Sequence, residues 1–271
     1  MMPGKKKTAT PPRPRQGAPL GLAEAADTVE FYRRGEVVKT FEADRYSTPR
    51  GRLRWELQNE MMFDLLAGTE DPLLEIAGGT GRFSRQFLAG GRELFVFDAS
   101  WEMISSNRAG LEKEGKVVPF TQGLAQQLPF KSASFGTVFC VDMFSHIADP
   151  EPIIREMARV LRPGGQLIIN FTNKSSLMGL GAGFISNPLR RLLGKMEVFS
   201  TYHWSRPFLK MMDEAGLWRL RTTGLFFVDP RLYRFGFGRK FFTFAKKMEN
   251  WMSRRDCRFL YEQIWIKAIR Q

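Results

Sequence analysis

The sequence predicts an α/β domain built on a parallel sheet with helices on both faces. From Leu73 onward, short apolar runs alternate with stretches of helical periodicity, the pattern of βαβ units. A glycine-rich turn, Ala77-Gly78-Gly79-Thr80-Gly81, stands directly between the first apolar run and the helix that follows, where open parallel sheets bind ligands. The 271 residues, 43% hydrophobic and 25% charged, suffice for one large core. No internal repeat or second core is visible, so residues 21–271 are read as one domain.

Residues 1–20 place Pro3, Pro11, Pro12, Pro14 and Pro19 among lysines, arginines and glycines; such a tail cannot bury enough apolar surface to order itself, and disorder is expected. An N-terminal helical part, residues 21–70, follows. Helices are expected over 22–40 and from Leu53 to Leu66, where Leu53, Leu57, Met61, Leu65 and Leu66 recur at helical spacing. The core, residues 71–172, has strands expected at Leu73–Ile76, Glu93–Phe97, Val117–Thr121, Thr137–Val141 and Gln166–Phe171, with helices at Phe83–Leu88, Trp101–Lys113 and Pro152–Leu161. Residues 173–205 read as a lid-like connection. The C-terminal part, 206–271, reads as a helix at Pro207–Ala215, a strand at Trp218–Val228, a largely helical stretch over 232–254 and a last strand at Phe259–Ala268.

The net charge of +13 is unevenly spread. Residues 1–16 carry five basic and no acidic side chains, residues 17–172 carry 17 basic and 21 acidic, and residues 173–271 carry 19 basic and 7 acidic. A basic surface of this kind suits an anionic partner, such as lipid headgroups, nucleic acid or an acidic substrate. Two cysteines, Cys140 and Cys257, and two histidines supply neither a disulfide framework nor a zinc cluster, so no metal site is expected. Cys140 lies in an apolar run and reads as a small core hydrophobe. No run has the apolar length of a membrane span, and the basic N-terminus lacks a signal-like stretch. A cytoplasmic protein, peripheral to a membrane at most, is expected.

The chemistry starts at Leu73-Leu74-Glu75-Ile76-Ala77-Gly78-Gly79-Thr80-Gly81-Arg82-Phe83-Ser84. Glycines there let the backbone approach a ligand with no Cβ in the way, and Glu75 can accept hydrogen bonds at the strand's end. The second strand ends in Asp98, 17 residues past Gly81, placed to take both hydroxyls of a ribose. Dinucleotide-binding proteins share these devices, but Ser84 occupies the third-glycine place of their motif, which disfavours an oxidoreductase. Three later elements discriminate: Ala125-Gln126-Gln127-Leu128-Pro129-Phe130, Ser134-Phe135, and Val160-Leu161-Arg162-Pro163-Gly164-Gly165.

In this order the motifs resemble class I S-adenosylmethionine-dependent methyltransferases, and "LEIAGGTGRFS" is similar to the ubiquinone/menaquinone C-methylase type. The resemblance covers about residues 70–172 at motif level. It implies a Rossmann-like seven-stranded sheet, mostly parallel with one antiparallel strand near an edge, and S-adenosyl-L-methionine as cofactor. By position, Glu75, Gly79 and Gly81 would frame the methionine part, Asp98 would hold the ribose, Ala99, Met103 and Ala125 would flank the adenine, and Ala77, Gly78 and Leu124 would also border the cofactor. Ala77 departs from the commoner glycine. Leu124 stands where an Asp or Asn usually reads the adenine amino group, so that contact is expected from Gln122, Gln126 or a backbone carbonyl. The implied activity is methyl transfer to O, N or C of a small, apolar acceptor.

Methyl transfer needs alignment, exclusion of water and removal of one proton. The candidate bases are His146, just after the fourth strand, and His203, in the connection after the fifth; Asp142, a strand-end acid at the same mouth, is expected among the cofactor's contacts near the methyl group, or else to satisfy loop amides. Residues 229–256 interleave aromatic and basic side chains, which suits an anionic membrane surface, although a helix packed by its Phe face with a solvated basic face uses the same residues. Nucleic acid is the less expected partner, since no Asp/Asn-Pro-Pro-aromatic element and no Pro-Cys nucleophile occurs. A cofactor-binding module without turnover, and an RNA methyltransferase, remain as alternatives; the oligomeric state is open.

Overall fold

The computed structural model describes residues 28–176, 179–180, 199–226, 239–252 and 260–271. The expected tail, most of the 173–205 connection and about half of the 229–256 segment lie outside the described residues.

Residues 28–33 are helical, and helix α1 (Gly35–Tyr46) follows, then α2 (Pro49–Leu66). Helix α2 starts four residues before the apolar periodicity does, because Thr48 caps it: its Oγ1 accepts the Gly51 N–H at 3.0 Å, with Pro49 in the first turn. Gly51 is also where the end of α1 presses on α2. A Cβ there would stand 2.0 Å from the Arg45 carbonyl oxygen. The stripe Leu53, Leu57, Met61, Leu65 and Leu66 is buried, each large side chain contributing roughly 1.5 to 3 kcal/mol by leaving water.

The remaining elements are β1 (Leu73–Ile76), α3 (Ser84–Ala89), β2 (Leu94–Asp98), α4 (Trp101–Lys113), β3 (Phe120–Gln122), β4 (Phe135–Cys140), α5 (Glu151–Val160), β5 (Leu161–Thr172), α6 (Ser205–Glu214), β6 (Leu217–Leu225), α7 (Arg239–Met252) and β7 (Gln263–Arg270). They form one seven-stranded sheet in the order β3-β2-β1-β4-β5-β7-β6. Strands β1 to β5 pair in parallel, whereas β7 runs antiparallel between β5 and β6.

Alternate strand residues feed two cores. Leu74, Ile76, Ile264 and Ile266 pack with Ile153, Met157, Phe208 and Met212 of α5 and α6 on one face. Leu73, Phe139 and Trp265 pack with the α2 stripe and Phe87 on the other. A sheet covered on both faces explains the nearly continuous apolar strands, of which β1 and β4 are buried throughout.

Strand β3 is shorter than its apolar run, and the reason is local. Val117 is exposed and Pro119 has no N–H to donate, although its carbonyl still accepts the Val96 N–H. The expected strand over Trp218–Val228 ends at Leu225, followed by Phe226 at φ 65°. No helix among the described residues is long and apolar enough to cross a membrane.

Candidate cofactor cleft and its polar neighbour

The turn after β1 is tied to its surroundings by its backbone. The Gly78 N–H donates to the Phe97 carbonyl at 3.3 Å and the Gly81 N–H to the Gly78 carbonyl at 3.1 Å. Gly81, at φ 91°, admits the close approach of α4, since a Cβ would stand 2.1 Å from Asn107 Oδ1. Ala77 holds φ 58°, a left-handed conformation that costs a side-chain residue about 1 kcal/mol. Beneath the turn, the Ser84 hydroxyl donates to Glu75, and Asn107 Nδ2 donates to Ser84 Oγ at 3.0 Å. Burial pushes the Glu75 carboxyl up to about 8, against the opposing pull of Ser84 and Arg82. Glu75, Gly78 and Gly81 thus brace the turn from behind and do not line the cleft it forms.

Asp98 ends β2 with both oxygens engaged from the backbone: the Gly79 N–H donates to Oδ2 at 2.9 Å and the Ser100 N–H to Oδ1 at 2.8 Å. Burial raises its carboxyl from the ordinary value, and these donors pull the other way. Two N–H donors leave the carboxylate lone pairs for a ligand's hydroxyls.

Ala77, Gly79, Asp98, Ala99, Met103, Leu124, Ala125, Asp142 and His146 line one cleft of about 890 Å3, its open mouth included, a size in the range of small-molecule sites. The cleft adds residues that no motif announced: Thr28, Tyr32, Phe41 and Arg45 from the N-terminal helices. Of the two glutamines expected near the adenine, Gln126 lines the cleft, while Gln122 donates its amide to the Ala99 carbonyl at 3.2 Å. The N-terminal helices are latched over the turn. Thr80 Oγ1 and Arg85 Nη2 donate to Glu42 Oε1 at 2.8 and 2.7 Å, and Ser100 Oγ donates to the Tyr32 carbonyl at 2.9 Å.

Asp142 is a half-buried ionic centre at φ 62°. It receives Gln58 Nε2 at 3.0 and 3.1 Å, Asn170 Nδ2 at 3.0 Å and Gln263 Nε2 at 2.9 Å, and lies 3.5 Å from Arg54 Nη2. Burial would push its carboxyl up, but the charges of Arg54 and Arg82 and the amide donors outweigh it, holding the group well below the usual carboxylate range.

His146 and His203 have different fates. His146 Nδ1 lies 2.7 Å from the Phe199 carbonyl oxygen and Nε2 lies 3.1 Å from Tyr32 Oη. A carbonyl only accepts, so Nδ1 carries the proton; burial lowers the ring's pKa, so the ring is neutral and Nε2 accepts from Tyr32. Arg45 Nη2 in turn donates to Tyr32 Oη at 2.9 Å, giving the chain Arg45, Tyr32, His146, Phe199. His203 corrects an expectation: it lines neither this cleft nor the polar one beside it. Its Nε2 donates to the Phe144 carbonyl at 2.8 Å and its ring stands against Phe208. It anchors the chain after β5 to the short helix Phe144–His146.

The polar cleft shares Arg45, Asp142 and His146 with the first and is otherwise bounded by the start of α2, the turn after β4, Thr172, Tyr202 and Glu262.

A mostly parallel seven-stranded sheet with its next-to-last strand reversed, a glycine turn and a strand-end acid under a nucleoside-sized cleft define the S-adenosylmethionine-dependent methyltransferase class. The chain belongs to that family. Residues 74–169 match the methyltransferase domain family. The chain is 30% identical over 173 residues to a "Ubiquinone biosynthesis O-methyltransferase" of Xanthomonas oryzae pv. oryzae, covering 62% of this chain and 68% of that one. It is 26% identical over 174 residues to a "Demethylmenaquinone methyltransferase" of Bacillus cereus, covering 59% and 70%. Among solved structures, a magnesium protoporphyrin IX methyltransferase from Synechocystis with bound S-adenosylhomocysteine has the same fold with a TM-score of 0.62 at 15% identity, covering 92% of this chain and 100% of that one. A methyltransferase of Thermotoga maritima, described as a possible histamine N-methyltransferase, gives 0.60 at 18%, covering 90% and 100%.

The cofactor is therefore S-adenosyl-L-methionine, and the cleft fits it. Thr28 Oγ1 is buried in the cleft wall without a partner among the described residues, and Asp98 stands at the strand end with lone pairs to spare.

Proposed function

We propose that this methyltransferase acts on a small molecule, at O, N or C, with His146 as the base and Tyr32 as the group that delivers the proton to it. The carrying observation is the hydrogen-bonded chain from Arg45 through Tyr32 to His146 Nε2. The cofactor supplies a methyl group on an already activated sulfonium. Asp98 would hold the ribose hydroxyls, Ala99, Met103 and Ala125 would pack the adenine, and Gln126 would replace the polar reader that Leu124 lacks. A substrate hydroxyl against Tyr32 passes its proton to the phenol oxygen as Tyr32 passes its own to Nε2, so Tyr32 stays neutral and the imidazole takes the charge. Burial keeps Tyr32 protonated, its pKa being raised, and Arg45 steadies its oxygen. The N-terminal helices exclude water from the same volume. Relatives named for quinone biosynthesis support a ring-bearing acceptor.

Methyl-labelled S-adenosylmethionine incubated with the protein and a small-molecule extract tests this. Label should enter an organic product, and His146→Ala should stop it. Cofactor binding with no labelled product would indicate a binding module, and label entering RNA instead would overturn the small-molecule reading.

A second property concerns α7. Phe244 and Trp251, seven residues apart on one helical face, are each 56% exposed, and Lys247 is exposed beside them. Lys246 faces the other way and pairs with Glu56 and Glu60 of α2 at 3.0 and 2.6 Å. An exposed face of aromatic and cationic residues supports docking on an anionic leaflet. Phe244→Ser with Trp251→Ser should reduce sedimentation with anionic vesicles, high salt should release the protein, and Lys246→Gln should leave sedimentation alone. Equal sedimentation with neutral vesicles would reject an anionic docking face.

A further inference from the structure

A polar cleft lies beside the cofactor cleft and shares Arg45, Asp142 and His146 with it. We infer that this cleft is the acceptor's subsite and that it recognises an anionic oxygen group, a carboxylate or a phosphate, on the molecule to be methylated. The inference rests on the methyl-transfer reading above, because it assumes that the acceptor's reacting atom reaches Tyr32 and His146.

Three arginines, Arg45, Arg50 and Arg54, line the cleft from the end of α1 and the first turns of α2. The N-terminus of α2, an 18-residue helix, opens on the same space at Thr48 and Gly51, and its dipole favours negative charge. Three acids line it as well, and their positions decide the balance. Asp142 is saturated by Gln58, Asn170 and Gln263 and paired with Arg54. Glu262 acts on that same Arg54, so Arg54 is the partner of the acidic floor. Asp44 and Arg50 are both exposed, so solvent screens both charges alike, and Arg45, only partly exposed, is the least screened of the cleft's unpaired groups.

Arg45 and Arg50 remain. Neither has an ion pair among the described residues, and Arg45 spends one hydrogen bond, on Tyr32. Its guanidinium is steadied by the Phe41 ring, 4.3 Å away. A guanidinium offers five N–H donors in a fork that matches carboxylate and phosphate. Because Arg45 touches both Tyr32 and the polar cleft, an anion held there would place the rest of the acceptor against the Tyr32–His146 pair. The two clefts thus divide the acceptor in two, an apolar portion toward Phe41, Met143 and Ile147 and an anionic end toward Arg50.

The full chain saturated with S-adenosylhomocysteine is titrated with benzoate, phenyl phosphate and benzamide, followed by calorimetry. Benzoate or phenyl phosphate should bind at least roughly tenfold more tightly than neutral benzamide, the worth of one charge-assisted hydrogen bond; the tighter of the two names the group. Arg50→Gln should remove that preference, Arg50→Lys should retain part of it, and neither should change S-adenosylhomocysteine affinity. Benzamide binding as well as benzoate, no binding of any probe, or a preference that survives both Arg50→Gln and Arg45→Gln overturns the inference. The measurement needs no turnover, so a His146→Ala protein that stays active and still prefers benzoate breaks the base assignment alone.

Discussion

The two clefts meet at Arg45, Asp142 and His146 but are assembled from different kinds of structure. The cofactor cleft is made largely of residues clustered at strand ends: Ile76, Ala77 and Gly79 at the end of β1, Asp98 to Ser100 after β2, Gly123 to Gln126 after β3. The polar cleft joins the α1–α2 junction, Asp44 to Arg54, to residues as distant as His146, Thr172, Tyr202 and Glu262, so no one stretch spells it as a motif. Backbone geometry dictates the first, and side chains brought together by α1, α2 and β5 dictate the second. A ligand held by turns and caps therefore leaves a readable trace in sequence, whereas one held by a packed assembly does not.

The division of labour between the clefts can be broken at several points. The largest effect is expected at their shared wall: His146→Ala should lower kcat by about 10²- to 10⁴-fold, the usual worth of a general base, while S-adenosylhomocysteine still binds. With burial lowering its pKa, the acid limb of kcat/KM should fall below the ordinary histidine value near 6.5; a limb above it would assign the base elsewhere. Next, Asp98→Ala should weaken S-adenosylhomocysteine by about 10²-fold in calorimetry, the order of two charge-assisted hydrogen bonds. Unchanged affinity would remove Asp98 from the site.

Behind the turn, Glu75 supplies a pH test. Its folded carboxyl is raised to about 8 from 4.5, so between those values the folded state holds a proton that the unfolded chain has lost, and its contribution to stability declines as pH rises. Denaturant melts of the cofactor-free protein should therefore show Glu75→Gln gaining on the parent from pH 5 to pH 8; parallel curves would mean that Glu75 is ionised throughout. The smallest effect is at Ala77. Relieving its left-handed strain by Ala77→Gly, against the extra chain entropy of glycine, should raise stability by about 0.5 kcal/mol, read from the midpoint of the same melts. A loss would mean that the Ala77 methyl packs in the cleft wall by more than its strain costs.

Much of the architecture was legible because local signals and tertiary structure agree. β1 spans Leu73–Ile76 and α4 spans Trp101–Lys113 as expected, since a buried apolar strand before a glycine turn and a Ser100-capped amphipathic helix need no distant partner to be recognised. Where they differ, one residue is the cause: the Thr48 cap lengthens α2 at its start, and Pro119 shortens β3. Tyr32 carried no signal at all. It is one aromatic in an amphipathic helix, and only the Ser100 tie to its carbonyl and the docking of Glu42 on Thr80 and Arg85 bring its hydroxyl to His146.

His203 shows the converse, since a histidine near an expected lid has the right chemistry, but its ring is committed to the Phe144 carbonyl. Chain order and spacing were enough to specify a βαβ sheet, a glycine turn and an acid at the end of the next strand, because each depends on periodicity and on φ/ψ within a few residues. Which histidine meets a proton donor, which arginines keep their charge unspent and where the second cleft opens depended on contacts across more than a hundred residues of chain, such as Tyr32 to His146 and Gln58 to Gln263, and those exist only once α1 and α2 are packed on the sheet.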